Sequence, residues 1–317
     1  MGGGVILQGS LQPAPAGKKM ISASRMRRYK DYFWGYLFIA PTVIGLALFL
    51  IGPIFFAFYI SMTRWDHLNP PVFIGLDNYI RMVGDMVVRG EIVRTLLFAL
   101  FIVPITLVLS LLLACFLNMK IPAVGFFRAT MFLPHITLPV ASAMVWQNMF
   151  NTRFGMINGF LRMMEMPVVD WLGQPWSVFG IIIGMSVWAG MGYFGIILLV
   201  GLKNLPASYH EAARIDGANR VQAFFKVTLP LLTPQIFFVV TMATISALQM
   251  FDAILVFGQA IFIRDGIRNL SFGIYERGFT FHQMGYAAAN AIVLLCMILV
   301  VTILNFVLQK YWVHYDN

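Results

Sequence analysis

Six long intervals of the chain contain no charged residue. They are residues 32–63, 95–119, 129–152, 171–202, 227–251 and 278–309. Each interval exceeds the about 20 residues that a helix needs to cross a hydrocarbon core of about 30 Å. Because backbone polar groups in lipid must be satisfied within the segment, such runs are helices rather than open strands. The pattern therefore predicts an all-α integral membrane protein with six transmembrane helices.

The composition agrees with this prediction. Of the 317 residues, 60% are hydrophobic and only 11% are charged, whereas soluble chains are about a quarter charged. This excludes water-soluble, disordered, collagen-like and disulfide-scaffold proteins. A net charge of +9 is also compatible with nucleic-acid binding, but so few charged residues offer no basic surface for it. We expect no nucleic-acid partner.

The positive charge is distributed unequally between the two sides of the predicted bundle. Six spans place both termini on one side, and the segments on that side hold thirteen of the 22 basic residues but only four of the 13 acidic ones. Segments that are rich in Lys and Arg remain in the cytoplasm. The sequence therefore predicts that the N and C termini are both cytoplasmic.

The ends of the chain differ in composition from the rest. Residues 1–30 are rich in Gly and Pro and then basic, and we expect a disordered cytoplasmic tail there. Translation could start at either Met1 or Met20. Residues 31–317 are expected to form one membrane domain.

The connection between the fourth and fifth predicted spans, residues 202–234, is far longer than a connection needs. Ser208 and Glu211 have the spacing of a capping box, which predicts a short helix that begins at Ser208. Gly217 is expected to end this helix.

A second short helix is predicted directly after Gly217. Asn219 and Gln222 have the residue types that cap it, and Pro230 and Pro234 end it at the membrane. The result is a helix–glycine–helix element on the predicted cytoplasmic face. With no other cytosolic mass in the chain, an element of this size favours a docking surface for a separate protein.

Residues of this element resemble the EAA loop of ABC-importer permeases, and more narrowly that of the carbohydrate-uptake, maltose-permease-like branch. The resemblance is carried by Glu211-Ala212-Ala213, Asp216-Gly217-Ala218, Phe224 or Phe225, Leu229-Pro230 and Pro234. Val227 stands where Ile is usual. Further similarity lies at Ala40-Pro41, Gly52-Pro53, Gly75 to Tyr79, Leu133-Pro134 and Met149 to Asn151, so it covers nearly the whole chain.

The resemblance implies a heteromeric importer in a bacterial or archaeal inner membrane. The chain would pair with a second related permease, with two cytosolic ATPase subunits and with an extracytoplasmic solute-binding protein. The sequence contains no G-x-x-x-x-G-K-[ST] motif. We therefore expect that this chain is not an enzyme and binds no cofactor, and that ATP and Mg are used by the partner ATPase.

The resemblance also implies which residues couple the chain to the ATPase. They are Glu211, Ala212, Ala213, Arg214, Asp216 and Gly217, and we call residues 202–234 the coupling segment. Glu211 would accept a charge-assisted hydrogen bond from an ATPase Arg, or would act only as a capping carboxylate. Gly217 would provide the turn.

The solute is expected to be a sugar or a related polyol or glycoside. Sugar recognition needs aromatic faces and convergent hydrogen-bonding groups, and such groups are costly in a bilayer unless they are used. The candidates on the fourth and fifth spans are Trp188, Gly190, Tyr193, Thr244, Ser246, Gln249, Met250 and Asp252. Helix packing is the alternative role for each of them. Asp252 either lines a gate or pairs with Arg264 or Arg268.

Two other classes of protein compete with the importer. An ion-coupled secondary transporter usually has ionisable groups within its spans, whereas the predicted spans carry no Asp, Glu, Lys or Arg. A membrane-embedded hydrolase is the second alternative. However, Arg214 occupies the second ligand position of the H-E-x-x-H motif that begins at His210, and the sequence around Ser186 lacks the second glycine of a nucleophile elbow. The five histidines have no metal-ligand spacing.

Overall fold

The computed structural model describes residues 2, 19–119 and 122–314. The described part is predominantly helical, which confirms the predicted all-α fold class. The chain divides into two compact units, residues 1–56 and 57–317. Most of the predicted disordered tail, residue 1 and residues 3–18, lies outside the described residues.

Helix α1 (Lys19–Leu46) begins twelve residues before the predicted end of the tail. Residues 19–30 are therefore helical, and the prediction of disorder was wrong for them; Met, Ala, Lys and Arg all favour helices. A π-helical turn at Ala47–Ile51 leads into α2 (Gly52–Ser61). The turn widens because Pro53 has no N–H to donate and its ring displaces the carbonyl of Phe49.

Between the first two spans the chain forms a hairpin and a helix. Strands β1 (Thr63–Arg64) and β2 (Val72–Phe73) pair antiparallel, with Thr63 opposite Phe73. Helix α3 (Asp77–Gly84) follows. Within α3, the Asn78 side-chain amide donates to the carbonyls of Ser61 and Thr63, both at 2.9 Å, and thereby fixes the helix to the hairpin.

The second span, α4 (Met86–Asn118), begins nine residues before its predicted start. Asp85 caps it, because its carboxylate accepts from the N–H groups of Val87 at 2.9 Å and Val88 at 3.3 Å. Consequently Glu91 and Arg94 belong to the helix. The prediction that the spans contain no charged residue was wrong. The second span was predicted to begin at residue 95, after Glu91 and Arg94, whereas the helix begins directly after its capping residue, Asp85.

The third span is bent rather than straight. Helices α5 (Val124–Ile136) and α6 (Pro139–Met149) meet at an angle of 99°. Thr137 and Leu138 between them have extended backbones, as expected for a residue before a proline. If the pair counts as one span, the described residues contain six; otherwise they contain five.

The remaining helices continue in chain order. They are α7 (Met156–Met163), α8 (Pro175–Asn204), α9 (Ala207–Ile215), α10 (Arg220–Ala223), a π-helical turn at Phe224–Thr228, α11 (Leu229–Leu231), α12 (Thr233–Leu248), α13 (Asp252–Phe257), α14 (Ile261–Ile267), α15 (Leu270–Tyr275), a further π-helical turn at Glu276–Thr280, and α16 (Met284–Trp312). The fourth span is α8, the fifth is α12 with α13, and the sixth is α16.

Close packing of α4, α8 and α12 with α13 forms the core. Its fully buried side chains include Phe98, Ile182 and Ile254 in one cluster and Leu117, Leu198 and Leu232 in another. Helix association in lipid depends on van der Waals packing, which small residues at the interface improve. At Gly192 a side-chain carbon would overlap the backbone carbonyl of Met131, so α8 contacts α5 along its backbone.

Candidate functional site

The first short helix of the coupling segment, α9, starts earlier than predicted. Its N-cap is Pro206, and no side chain caps it. The predicted capping box of Ser208 and Glu211 was therefore wrong. Pro206 has the φ and extended ψ that precede a helix, so the first turn forms before Ser208 is reached.

Gly217 ends α9 as predicted. The glycine has a left-handed φ of +78°. Its N–H donates to the carbonyl of Arg214 at 3.1 Å, and the N–H of Ala218 donates to the carbonyl of Ala213 at 2.9 Å. This pair of hydrogen bonds is the Schellman motif, in which the left-handed residue is usually Gly.

The second helix, α10, has the predicted capping pair. The Asn219 side chain accepts from the N–H of Gln222 at 2.9 Å, and the Gln222 side chain accepts from the N–H of Asn219 at 3.0 Å. These reciprocal hydrogen bonds satisfy backbone N–H groups at the start of α10 and fix where the helix begins after Gly217.

All six predicted coupling residues lie on α9 or in the turn after it. Ala213 is buried, whereas Glu211, Ala212, Arg214, Asp216 and Gly217 are exposed. Within the described residues, no ion pair forms at Glu211, Arg214 or Asp216. Exposed apolar side chains lie close by in the segment, including Ile215, which is 86% exposed. This surface has both the charges and the apolar groups of a protein-binding site.

A cavity of about 490 Å³ lies between the bend of the third span, α8, and α12 with α13. It brings together six of the eight predicted pathway residues: Gly190, Tyr193, Ser246, Gln249, Met250 and Asp252. The fifth span is interrupted between Leu248 and Asp252. Because of this interruption, the four consecutive residues Gln249, Met250, Phe251 and Asp252 all line the cavity.

Two predicted pathway residues do not line this cavity. Trp188 packs against Trp146, with ring centroids 5.8 Å apart. The Thr244 hydroxyl donates to the carbonyl of Val240 at 2.7 Å, and its side chain borders a separate groove lined mainly by apolar residues of α4.

The cavity also contains polar groups that the sequence did not predict. His135 stacks on Tyr193 with ring centroids 4.2 Å apart and planes inclined by 7°. The buried Thr106 hydroxyl has no hydrogen-bond partner among the described residues. Thr137, Ser142 and Ser186 complete the polar lining. A lone histidine within an apolar span was the signal available for His135, because polar residues at membrane depth are usually functional.

Asp252 lines the cavity and does not pair with either predicted arginine. Arg264 binds Glu276 at 3.3 Å, and Arg268 binds Glu91 and Glu276, both at 2.6 Å. Both arginines are therefore paired with Glu91 or Glu276 rather than with Asp252. The Asp252 carboxylate therefore remains available to the cavity.

Comparison with known proteins places this geometry in context. A family model described as "Binding-protein-dependent transport system inner membrane component" matches residues 86–312. The chain is 38% identical over 292 residues to the probable ABC transporter permease protein YesP of Bacillus subtilis, which covers 91% of this chain and 94% of that protein. It is 31% identical to the trehalose/maltose transport system permease protein MalF of Thermococcus litoralis, over 87% of this chain and 92% of the relative.

A solved structure shares the fold. A chain of the bacterial alginate ABC transporter in complex with an alginate pentasaccharide-bound periplasmic protein aligns with a TM-score of 0.78. The alignment covers 90% of this chain and 96% of that chain, at 22% identity.

Proposed function

Because this chain belongs to the family of binding-protein-dependent transport system inner membrane components, we propose that it forms half of the translocation pathway of an ATP-driven importer for a sugar or a related polyol or glycoside. Members of this family are multi-pass inner membrane permeases rather than enzymes, and the ATPase activity lies in a partner subunit. The name of the Thermococcus litoralis relative supports the solute class.

The observation that carries the proposal is the position of the cavity. It lies between α8 and α12, the two helices that the coupling segment joins. A movement of this segment therefore acts on both walls of the cavity. Such a connection is what an importer needs if a cytosolic event is to change access to a solute site.

The chemistry of the cavity suits a neutral sugar. The stacked rings of His135 and Tyr193 offer an aromatic face, and Ser246, Gln249 and Thr106 offer hydroxyl and amide groups. Its volume lies within the about 300–1,000 Å³ typical of small-molecule sites. Asp252 is the one carboxylate in the described lining, and its charge disfavours an anionic solute.

The coupling segment would transmit the ATPase movement. We place α9 in a cleft of a cytosolic ATPase subunit, where Glu211 accepts a charge-assisted hydrogen bond from an Arg. Ala212, Ala213 and Arg214 form the rest of the contacting helix, and Asp216 and Gly217 form its turn. ATP and Mg are bound by the ATPase and not by this chain.

The complete importer would contain four kinds of component. This chain and a second related permease form the pathway, two ATPase subunits bind on the cytoplasmic side, and a solute-binding protein docks on the opposite side. Membership in a binding-protein-dependent family supports the binding protein and the ATPase. The second permease and the number of ATPase subunits are our proposal.

Reconstitution tests the proposed function. We expect the chain to purify with its ATPase and second permease, and the ATPase rate in proteoliposomes to rise when solute-loaded binding protein is added. A ligand screen on the cognate binding protein then identifies the sugar. A chain that purifies alone and drives ion-coupled uptake would overturn the proposal.

A further inference from the structure

Two carboxylates and two guanidinium groups are buried together between the start of α4, the end of α14 and the turn after α15, and a third, partly exposed guanidinium group adjoins them. Glu91 is fully buried; its carboxylate accepts hydrogen bonds from Arg277 at 2.8 and 3.1 Å and pairs with Arg268 at 2.6 Å. Glu276 pairs with Arg268 at 2.6 Å and with Arg264 at 3.3 Å. We call these five residues the Glu91 cluster.

The Glu91 cluster joins segments that are distant in the chain. Glu91 lies in the second turn of α4, whereas the other four residues lie more than 170 positions later. The packing is tight: a side-chain carbon at Gly273 would overlap the Glu91 carboxylate and the Arg277 guanidinium. Nothing larger than glycine therefore fits between them.

Asn269 connects the cluster to the solute cavity. It directly follows Arg268, and its side-chain amide donates to the carbonyl of Met250 at 2.5 Å. The next residue, Leu270, donates its N–H to the Thr95 hydroxyl of α4 at 3.0 Å. Met250 lies in the interruption of the fifth span and lines the cavity. A chain of direct contacts thus runs from Glu91 through Arg268 and Asn269 to the cavity wall.

Aromatic packing supports the same connection. Phe251, also in the interruption and in the cavity lining, lies 5.2 Å from Tyr275 and 6.4 Å from Phe272 between ring centroids. Phe272 is positioned by its own N–H, which donates to the Asn269 side chain at 2.9 Å. The interruption of the fifth span is therefore supported from behind by α15.

Stability alone does not explain a buried cluster of this kind. The desolvation of buried ion pairs usually offsets their attraction, so apolar residues would hold the segments together equally well. The charged groups additionally fix the relative positions of the segments, because the planar guanidinium group of Arg donates to a carboxylate only over a narrow range of positions. The fifth span is interrupted in this region, and the Met250 carbonyl needs such a fixed partner.

We propose that the Glu91 cluster is a positioning element of the solute cavity, and that it acts through Asn269 on the interrupted backbone at residues 249–251. Glu91 and Asn269 are positioning residues that do not contact the solute. This inference rests on the proposed function only in treating the cavity as the solute pathway.

The test measures access to the cavity in the assembled importer. In a background of Cys115→Ser and Cys296→Ser, the Ser246→Cys variant places one thiol in the cavity lining. Its rate of reaction with a membrane-impermeant maleimide, added on the side where the binding protein docks, is measured in proteoliposomes without solute or nucleotide. Two changes are then added separately, Asn269→Ser and Glu91→Gln.

Asn269→Ser is the sharper of the two changes. Serine still caps α15, so the helix start is kept, but it is too short to reach the Met250 carbonyl. We expect the thiol at position 246 to react about fivefold faster, the factor expected for the loss of one buried hydrogen bond. Glu91→Gln should have a larger effect, because it leaves the buried Arg277 guanidinium without a carboxylate and Arg268 with only one of its two.

Asp265→Asn is the matched control. It makes the same carboxylate-to-amide change within α14, but Asp265 is exposed and outside the cluster, so the labelling rate should not change. If the Glu91→Gln complex does not assemble, the labelling rate of the Asn269→Ser complex alone tests the inference. Unchanged labelling of assembled Asn269→Ser complexes would overturn the inference. Because labelling needs no solute, a failure of wild-type sugar import would overturn the proposed function and leave this test intact.

Discussion

Gly217 has a left-handed backbone conformation, and a substitution at this position can test that conformation without creating a steric clash. Apart from the glycine and its two chain neighbours, no atom of the described residues lies within 4 Å of the position that a side-chain carbon would occupy. Gly217→Ala therefore meets no steric obstacle and is opposed only by φ, at about 1–2 kcal/mol. We expect the Gly217→Ala importer to transport less solute per ATP hydrolysed than the wild type, as measured in proteoliposomes.

Two further variants define the role of Gly217. Gly217→Asn should retain most of the coupling, since Asn tolerates the left-handed region. Gly125→Ala is the control, because Gly125 is helical and also has open space around it. Normal coupling in Gly217→Ala would show that the turn is not needed for transmission.

Glu211 is exposed and has no ion pair within the described residues, so its carboxylate is free to bind a partner. Glu211→Gln should weaken association with the ATPase subunit by about tenfold or more, as for the loss of a hydrogen bond to a charged group. Association is measured by titrating the detergent-solubilised permease pair with the ATPase.

The control for this prediction is Glu165→Gln, an exposed acid on the opposite predicted side of the membrane. It should leave ATPase association unchanged. Equal affinities for wild type and Glu211→Gln would leave Glu211 with no role in ATPase binding.

Asp85 links pH to stability at the start of α4. Partial burial disfavours its charge, but hydrogen bonds from the Tyr286 hydroxyl and from the N–H groups of Val87 and Val88, with the charge of Arg277, outweigh burial and hold the pKa below its usual range. A lowered folded-state pKa stabilises the protein above the unfolded pKa of about 3.9. This contribution is lost as the pH falls through the lower, folded-state value.

Asp85→Asn tests this linkage, because asparagine also caps helices but has no charge. We expect a lower melting temperature than wild type at pH 7, measured in detergent, and a difference that narrows once the pH falls below about 4. A difference that stays constant down to the most acid pH at which the wild type folds would contradict the assignment.

The candidate site could be predicted from the sequence only where local chemistry determines it. The turn at Gly217 and the capping pair of Asn219 and Gln222 depend on neighbouring residues and were confirmed. His135 and Thr106 reach the cavity only because distant helices meet there. No local pattern encodes that meeting, so the sequence did not identify them.

At the level of elements, the bend of the third span matters because it brings α5 against α8. The contact depends on Gly192, where any side chain would overlap the Met131 carbonyl. Gly192→Ala should destabilise the complex by about 1–3 kcal/mol, the usual effect of overpacking, and lower its melting temperature in detergent. Gly180→Ala on the same helix has no atom within 4 Å and serves as the control. Equal melting temperatures for both variants would mean that α5 moves away without cost.

The sequence predicted the number and order of the spans but not their interruptions. Hydrophobicity determines which segments enter the membrane, so the sequence located five spans and the bent pair of helices that can count as a sixth. The bend at Thr137–Leu138 and the interruption at 249–251 were missed, because buried tertiary contacts such as the one between Asn269 and Met250 satisfy the freed backbone groups. Glu91 was not expected within a span because its pairing with Arg268 and Arg277 is also a contact between distant parts of the chain.

At the level of the whole molecule, the charge distribution predicts orientation. In the predicted topology, the net charge of +9 lies entirely on the side that carries both termini and the coupling segment, and an ATPase partner requires that side to be cytoplasmic. Two highly exposed residues on opposite sides provide the test, Ile215 in the coupling segment at 86% exposed and Leu68 after β1 at 88%.

Each position is replaced by cysteine, Ile215→Cys or Leu68→Cys, in the background without Cys115 and Cys296. A membrane-impermeant maleimide should label position 68 in right-side-out vesicles and position 215 only in inverted ones. Detergent-solubilised protein, in which both positions are accessible, corrects for intrinsic reactivity. Labelling of position 215 in right-side-out vesicles would place the coupling segment where no ATPase can reach it, and would reject the charge-based orientation together with the coupling role of Glu211 and Gly217.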